Sequence, residues 1–216
     1  MLCLRGDDIA AMDDRYRVFF VNALSGLKPA HLIGTVNIAG QTNLALFNSV
    51  VHIGAQPPLL GMISRPNSVP RHTLENIHAT GYFSINHVHA DFFEQAHQTT
   101  ARYEESEFAA VGLTALQGDI PSPYVAESAI SIGLRHRETI DLTVNGTHLV
   151  IGEVVEVRLP EDCLGADGAI DLGKAGSISV SGLDHYYRAV SLARMHYAKP
   201  DRAPKRMSTE PSDIDA

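Results

Sequence analysis

Cysteine is scarce in this chain. The 216 residues hold two, Cys3 and Cys163, with no CxxC spacing, which argues against a disulfide framework or a thiolate zinc site and predicts reduced thiols. Long apolar runs are missing too, and none approaches the roughly 18–20 residues of a membrane span. The opening stretch MLCLRGDDIAAMDD puts acidic residues where a secretory signal needs a basic flank and an apolar core. The expected location is the cytoplasm. Positive charge is in deficit: a formal net charge of −8 argues against a broad nucleic-acid footprint and leaves room only for a local basic pocket.

Several chemical signatures are absent as well. No GxGxxG follows a strand, so a Rossmann nicotinamide module is not expected. Ser49 lacks a GxSxG setting and recognisable His/Asp companions, which argues against nucleophilic catalysis. Eleven histidines invite a metal, and His87 and His89, two apart in an extended run, would share one face. His72, His78 and His97 are conceivable further ligands. Without HExxH or Cys/His spacing, however, no metal site is expected.

What is present reads as one globular unit: 44% hydrophobic and 19% charged residues suit a soluble domain. Ile9–Leu24 keeps a helical apolar stripe stopped by Gly26 and Pro29. The pattern then turns to strands, at His31–Val36, Leu44–Ile53 and Leu59–Ile63. A helix from about Thr73 stops at Gly81, and Tyr82–Val88 alternates again. Asp91–Glu94 reads as a capping box, and Ser106–Ala109 starts a single turn ending near Gly112. Ala129–Val144 and Thr147–Leu159 flank Asn145-Gly146, a strong hairpin signal. The loop from Asp162 to Gly176 carries four glycines. The expected organisation is a helical extension over residues 1–30, a domain over 31–197 and a loosely ordered tail over 198–216. The fold class is mainly β, with antiparallel strands closed into a barrel or sandwich and short helices at the periphery.

Two polar clusters carry the chemistry. Asn43, Asn48 and Ser49 sit on a β-rich run beside Phe47, where amides and a hydroxyl can hydrogen-bond a planar heterocycle and a polyol. The alternative is an edge strand whose polar residues face water. Ser64-Arg65-Pro66-Asn67-Ser68, then Arg71-His72-Thr73, precede a helix whose N-terminus and guanidinium groups suit a phosphate monoester. There the alternative is a plain cap at Thr73 beside two solvated arginines.

The ordered series NLALFNSV…PPLLGMISRP…RHTLENI…TGYFSIN resembles the flavin reductase-like family of FMN-binding split-barrel proteins. Ser106-Glu107-Phe108 with Gly112-Leu113, Val150–Val154 and Gly182–Tyr187 extend the likeness over roughly His31 to Pro200. The resemblance implies a homodimeric antiparallel Greek-key split β-barrel with FMN near the subunit interface. Asn43, Leu44, Ala45 and Phe47, then Asn48, Ser49 and Val50, match the strand lining the isoalloxazine and ribityl chain. Ser64, Arg65, Arg71, His72 and Thr73 match the phosphate side. His185 and Tyr186 match a stretch that approaches the cofactor, often from the neighbouring chain. Many relatives carry serine or threonine where this chain has Leu46 and Val50, which shifts flavin contacts toward backbone and apolar groups.

The leading expectation is an NAD(P)H-dependent flavin reductase, with hydride passing from nicotinamide to flavin and the protein orienting both rings. His185 is a candidate proton donor or nicotinamide contact, against the alternative of a surface histidine. The rivals are a non-enzymatic electron carrier or oxygenase partner, a split-barrel oxidase acting on a small amine or phosphate ester, and an interaction protein with an empty barrel.

Overall fold

Alternating apolar residues make the strands here, and glycines mark several of the ends. The computed structural model describes residues 1–66 and 71–207. Asn67 and Ser68 of the second polar cluster lie outside the described residues, as does the expected tail from Ser208 onward. Along the chain come α1 (Gly6–Ala10), α2 (Asp14–Leu24), β1 (Lys28–Pro29), β2 (His31–Val36), β3 (Thr42–Phe47), β4 (Val50–Ala55) and β5 (Pro58–Ser64). Then follow α3 (His72–Thr80), β6 (Tyr82–His87), α4 (Phe93–Gln98), α5 (Glu107–Val111), β7 (Ala115–Leu116) and β8 (Tyr124–Val125). Two long strands, β9 (Ser131–Leu142) and β10 (Thr147–Arg158), precede a 3-10 turn at Glu161–Cys163, β11 (Ile178–Ser181) and β12 (His185–Arg188).

Seven strands form one antiparallel sheet in the order β3-β2-β6-β9-β10-β5-β4. Its two edge strands are neighbours in sequence, separated only by Asn48 and Ser49. Three Cα steps from Phe47 to Val50 reach at most about 11 Å, so the sheet must curl until its edges nearly meet at that corner. They are adjacent but not paired. The result is a mainly β split barrel whose seam runs between β3 and β4.

The barrel interior is filled by Ile33, Met62, Phe83, Ile85, Leu134 and Val150, and α3 joins that core with Leu74 and Ile77. Burying each such side chain contributes about 1.5–3 kcal/mol. A β-carbon at Gly152 would sit 2.6 Å from the Phe83 ring, so that glycine lets the ring tip approach the β10 backbone. Outside the sheet a second core forms, in which Leu32 and Leu44 meet Phe92, Phe108, Ile178 and Val180. Ile178 and Val180 come from the small sheet β1-β11-β12.

Several expectations need correction. The run Leu44–Ile53 is not one strand: it breaks at Asn48-Ser49 because the barrel turns its corner there. The helix expected over Ile9–Leu24 is two, interrupted before Asp13, whose carboxylate accepts from the Arg15 and Tyr16 N–H groups and caps α2. The apolar stripe of α2 is not packed away either; none of its residues is buried. No capping box forms at Asp91, since the N-cap of α4 is Phe92 with no side-chain cap. The Asp91 N–H instead donates to His89 Nδ1 at 3.1 Å. Gly81 and Gly112 end their helices in the left-handed region, at φ 77° and 71°, as their placement predicts.

Candidate functional site

β3 sits at the sheet edge, and both of its ends are tied to distant segments. At its start, Asn43 Nδ2 lies 3.1 Å from Thr73 Oγ1 and 3.2 Å from Thr35 Oγ1. Asn76 Nδ2 lies 3.1 Å from the same Thr35 hydroxyl. Thus the strand of the first polar cluster meets the helix of the second through side chains 30 residues apart. At the other end, Asn48 Nδ2 donates to the Gly182 carbonyl at 2.9 Å, joining the corner to the Gly182–Tyr187 stretch.

Edge position leaves backbone groups of β3 pointing outward, and α5 covers only the first of them. Glu107 accepts from the Leu44 N–H at 3.0 Å, and the Ser106 and Thr42 hydroxyls share a hydrogen bond of 2.7 Å. By strand alternation the Leu46 backbone faces the same open seam. The Leu44 side chain is fully buried in the outer core, so its nearness to the seam comes through its backbone. Ala45 and Phe47 are half-buried, and Phe47 and Val50 pack on the barrel core. Ser49 looks inward as a surrogate strand partner: its Oγ donates to the Ile63 carbonyl at 2.9 Å and accepts from the Ile63 N–H at 3.2 Å.

Around the entrance of α3, Ser64 is buried while Arg65 and His72 are exposed. Arg71 is the N-cap and makes no side-chain cap; its N–H donates to Glu75 Oε1 at 3.0 Å and its Nε to the Pro66 carbonyl at 3.1 Å. Thr73 therefore is not the cap, because its hydroxyl faces Asn43. The first-turn N–H groups of α3 have no partner within the helix, and its positive dipole end adds to the Arg71 charge. These donors fit a phosphate.

β12 separates the two residues expected on the substrate side. His185 is exposed, and its Nδ1 shares a hydrogen bond of 2.7 Å with Tyr187 Oη. Tyr186 points to the opposite face, where its hydroxyl meets His97 Nδ1 at 2.8 Å and its ring packs 5.4 Å from that of Phe93. Burial, and then the Asp184 carboxylate, push the Tyr186 hydroxyl up to about 12. The partner of His185 is Tyr187, which the period of two along a strand would have revealed. His185, Gly182, Tyr16, Phe19, Phe20 and Ala23 line an open groove of about 340 Å³ between α2 and the β11–β12 turn. Thr35 and Asn76 are the residues that sequence reasoning missed, since only the folded register brings them together.

Behind the corner a buried imidazole, His31, meets a half-buried one, His87. His31 lies opposite both Phe47 and His87 in the sheet, and the two rings meet edge-on at 4.5 Å. His87 Nδ1 is 2.8 Å from Ser177 Oγ, whereas His31 Nδ1 is buried without a hydrogen-bond partner among the described residues. Burial lowers the His87 pKa to about 4. Burial, and then the neighbouring His87, hold His31 well below the ordinary imidazole range. Among the described residues no group of three or more His, Cys, Asp or Glu side chains is placed to hold a metal ion. No described helix is long and apolar enough to cross a membrane.

Known proteins give this geometry its context. Residues 27–172 match the family model described as a flavin reductase like domain. A split-barrel protein of the flavin reductase type from Shewanella frigidimarina NCIMB 400 is 47% identical, superimposes with a TM-score of 0.88 and is covered over 100% of its length by 92% of this chain. Nitrilotriacetate monooxygenase component B from Bacillus cereus shares the fold at 21% identity and a TM-score of 0.78, over 90% of this chain and 98% of that one. An FMN-binding protein from Thermus thermophilus shares it at 18% identity and 0.66, over 77% and 88%. The family model spans most of the chain, and the fold is shared with those structures: this protein belongs to the flavin reductase-like family.

Proposed function

We propose that the chain binds FMN along β3 and serves as an NAD(P)H-dependent flavin reductase. The observation that carries the reading is the double tether of β3, to α3 through Asn43–Thr73 and to the Gly182 turn through Asn48. Those two points lie five residues apart, about 17 Å along an extended strand, which suits a fused-ring heterocycle with a ribityl phosphate. In this reading Ser64, Arg65, Arg71, His72 and the backbone N–H of Thr73 hold the phosphate. The seam-facing backbone of Leu44–Phe47, with Asn48, Ser49 and Val50 at the corner, orients the ring. His185, held by Tyr187, shapes the face the donor approaches, while Tyr186 supports that strand from behind.

Bound FMN supplies a ring that accepts hydride from a dihydronicotinamide; the protein contributes alignment and the exclusion of water. A homodimer completes the reading. Val51 and Ile53 on β4, Val155 and Val157 on β10, and Tyr16 and Leu24 on α2 are all exposed, and large apolar side chains left in water favour a partner. The likeness to a monooxygenase component supports delivery of reduced flavin to a separate oxygenase, and the cytoplasm suits a supply of NAD(P)H.

The deciding experiment is the absorbance spectrum of purified protein loaded with FMN, followed by NADH and NADPH addition without oxygen. Rapid bleaching of the flavin band is expected with one or both donors. A flavin band that stays unbleached would reduce the function to binding or electron carriage. Colourless protein that takes up no FMN on titration would remove the flavin site altogether. Sedimentation at micromolar concentration should show a dimer.

A further inference from the structure

We infer that Asn43 is a positioning residue for the phosphate end of the flavin site, acting through Thr73 and making no contact with the ring. The inference rests on the FMN reading above and revises the role that Asn43 would have by sequence position. Thr35 is fully buried, and Asn43, Thr73 and Asn76 are each 8% exposed, so the four polar side chains form a closed set with little access to a ligand.

Within that set Asn43 is the bridge. The same end of its amide faces both threonine hydroxyls, at 3.2 and 3.1 Å. Either orientation of the amide leaves that end engaged twice. An apolar residue at 43 would take from Thr73 its hydrogen-bond partner among the described residues and leave Thr35 only Asn76, in a dry site where unpaired polar groups are costly.

The arrangement also fixes α3 in rotation. Thr73 and Asn76 are three apart and share one helix face. Thr73 is anchored to β3 through Asn43, and Asn76 to β2 through Thr35. Two anchors one turn apart resist rolling of the helix about its axis. A roll of about 20° would carry backbone atoms at a radius of roughly 2.3 Å through about 0.8 Å. Hydrogen bonds to phosphate tolerate a spread of only about 0.5 Å. Thr73 itself belongs to the first turn, so holding its side chain aims the donors that meet the phosphate.

The test compares FMN with riboflavin, which lacks the phosphate, by fluorescence titration of the full chain. Wild-type protein should prefer FMN; equal affinity for the two would overturn the phosphate seat and the inference with it. Asn43→Ala should weaken FMN about tenfold or more and riboflavin by less than about twofold. Equal losses for both ligands would assign Asn43 to the ring, and no loss for either would remove it from the site; both outcomes overturn the inference. In a double-mutant cycle, Asn43→Ala with Thr73→Val should lose no more FMN affinity than Thr73→Val alone, whereas additive losses would show that Asn43 acts independently of Thr73. Should Asn43→Ala fail to fold, Thr35→Val, which frees one end of the bridge, carries the same test: an FMN-selective loss supports the inference, and an unselective or absent one overturns it.

Discussion

The two ends of β3 solve the burial of polar groups in opposite ways. At the Asn43 end the groups are amides and hydroxyls, neutral at every ordinary pH and closed into a network. At the Phe47–Asn48 end the neighbours are imidazoles: His31 buried and His87 half-buried behind the strand, and His185 exposed in front of it. A group that cannot titrate holds a fixed geometry across conditions, whereas one that can titrate ties geometry to proton concentration. The Asn43 network is thus insulated from pH, whereas the His31–His87 pair is not.

Acidification should break the symmetry most. The folded pKa of His87 is about 4 against an ordinary 6.5, so below the latter value the unfolded chain takes up a proton that the folded chain refuses. Stability should stay level above about pH 6.5 and fall as the pH drops toward about 4, by about 3 kcal/mol for His87 alone; His31, also lowered, adds in the same direction. Urea midpoints across that window measure the slope, and His87→Asn should flatten it. A midpoint that holds steady would mean that the imidazole pair accepts protons without penalty.

Next in size is the phosphate seat. Combining Arg71→Ala with Thr73→Val should weaken FMN about 100-fold and leave riboflavin within a few-fold, since charge-assisted bonds to phosphate are among the strongest polar contacts. Parallel losses for both ligands would place the phosphate elsewhere. The smallest effects should come from contrasting one residue at each end. Asn76→Leu, inside the closed network, should lower the unfolding free energy by about 1–2 kcal/mol, while His185→Ala should change it by less than about 0.5 kcal/mol. His185→Ala should instead slow flavin reduction by NADH, seen in single-turnover absorbance traces. Equal stability losses at the two positions would erase the distinction drawn between the ends.

Much of this was legible in the sequence because it is local. β-Rich composition marked β2, alternation marked β6, β9 and β10, Asn145-Gly146 marked the longest hairpin, and Gly81 and Gly112 marked two helix ends. The break at Asn48-Ser49 was hidden because nothing local requires it. No glycine or proline stands there, and the corner exists only because seven strands curl until the edges meet. The Asn43–Thr73 and Asn43–Thr35 pairings depend on register and on how α3 settles against the barrel, neither of which is encoded in spacing. Asp91 misled for a related reason: a side chain able to cap α4 stands one residue too early, and Phe92 is drawn into the outer core instead.

The unpaired seam between β3 and β4 bears on traffic as well as on shape. A cylinder laced all round admits a broad flat molecule only after some of its rungs are undone, which ties entry and exit to partial unfolding. Here a doorway is already cut along the strand that would hold the ring, with a post at either side, Asn43 fastened to α3 and Asn48 to the Gly182 turn. On the proposed reading, a guest at that doorway would lie beside the small turn that latches onto Asn48, a contact outside the strand ladder that holds the barrel together.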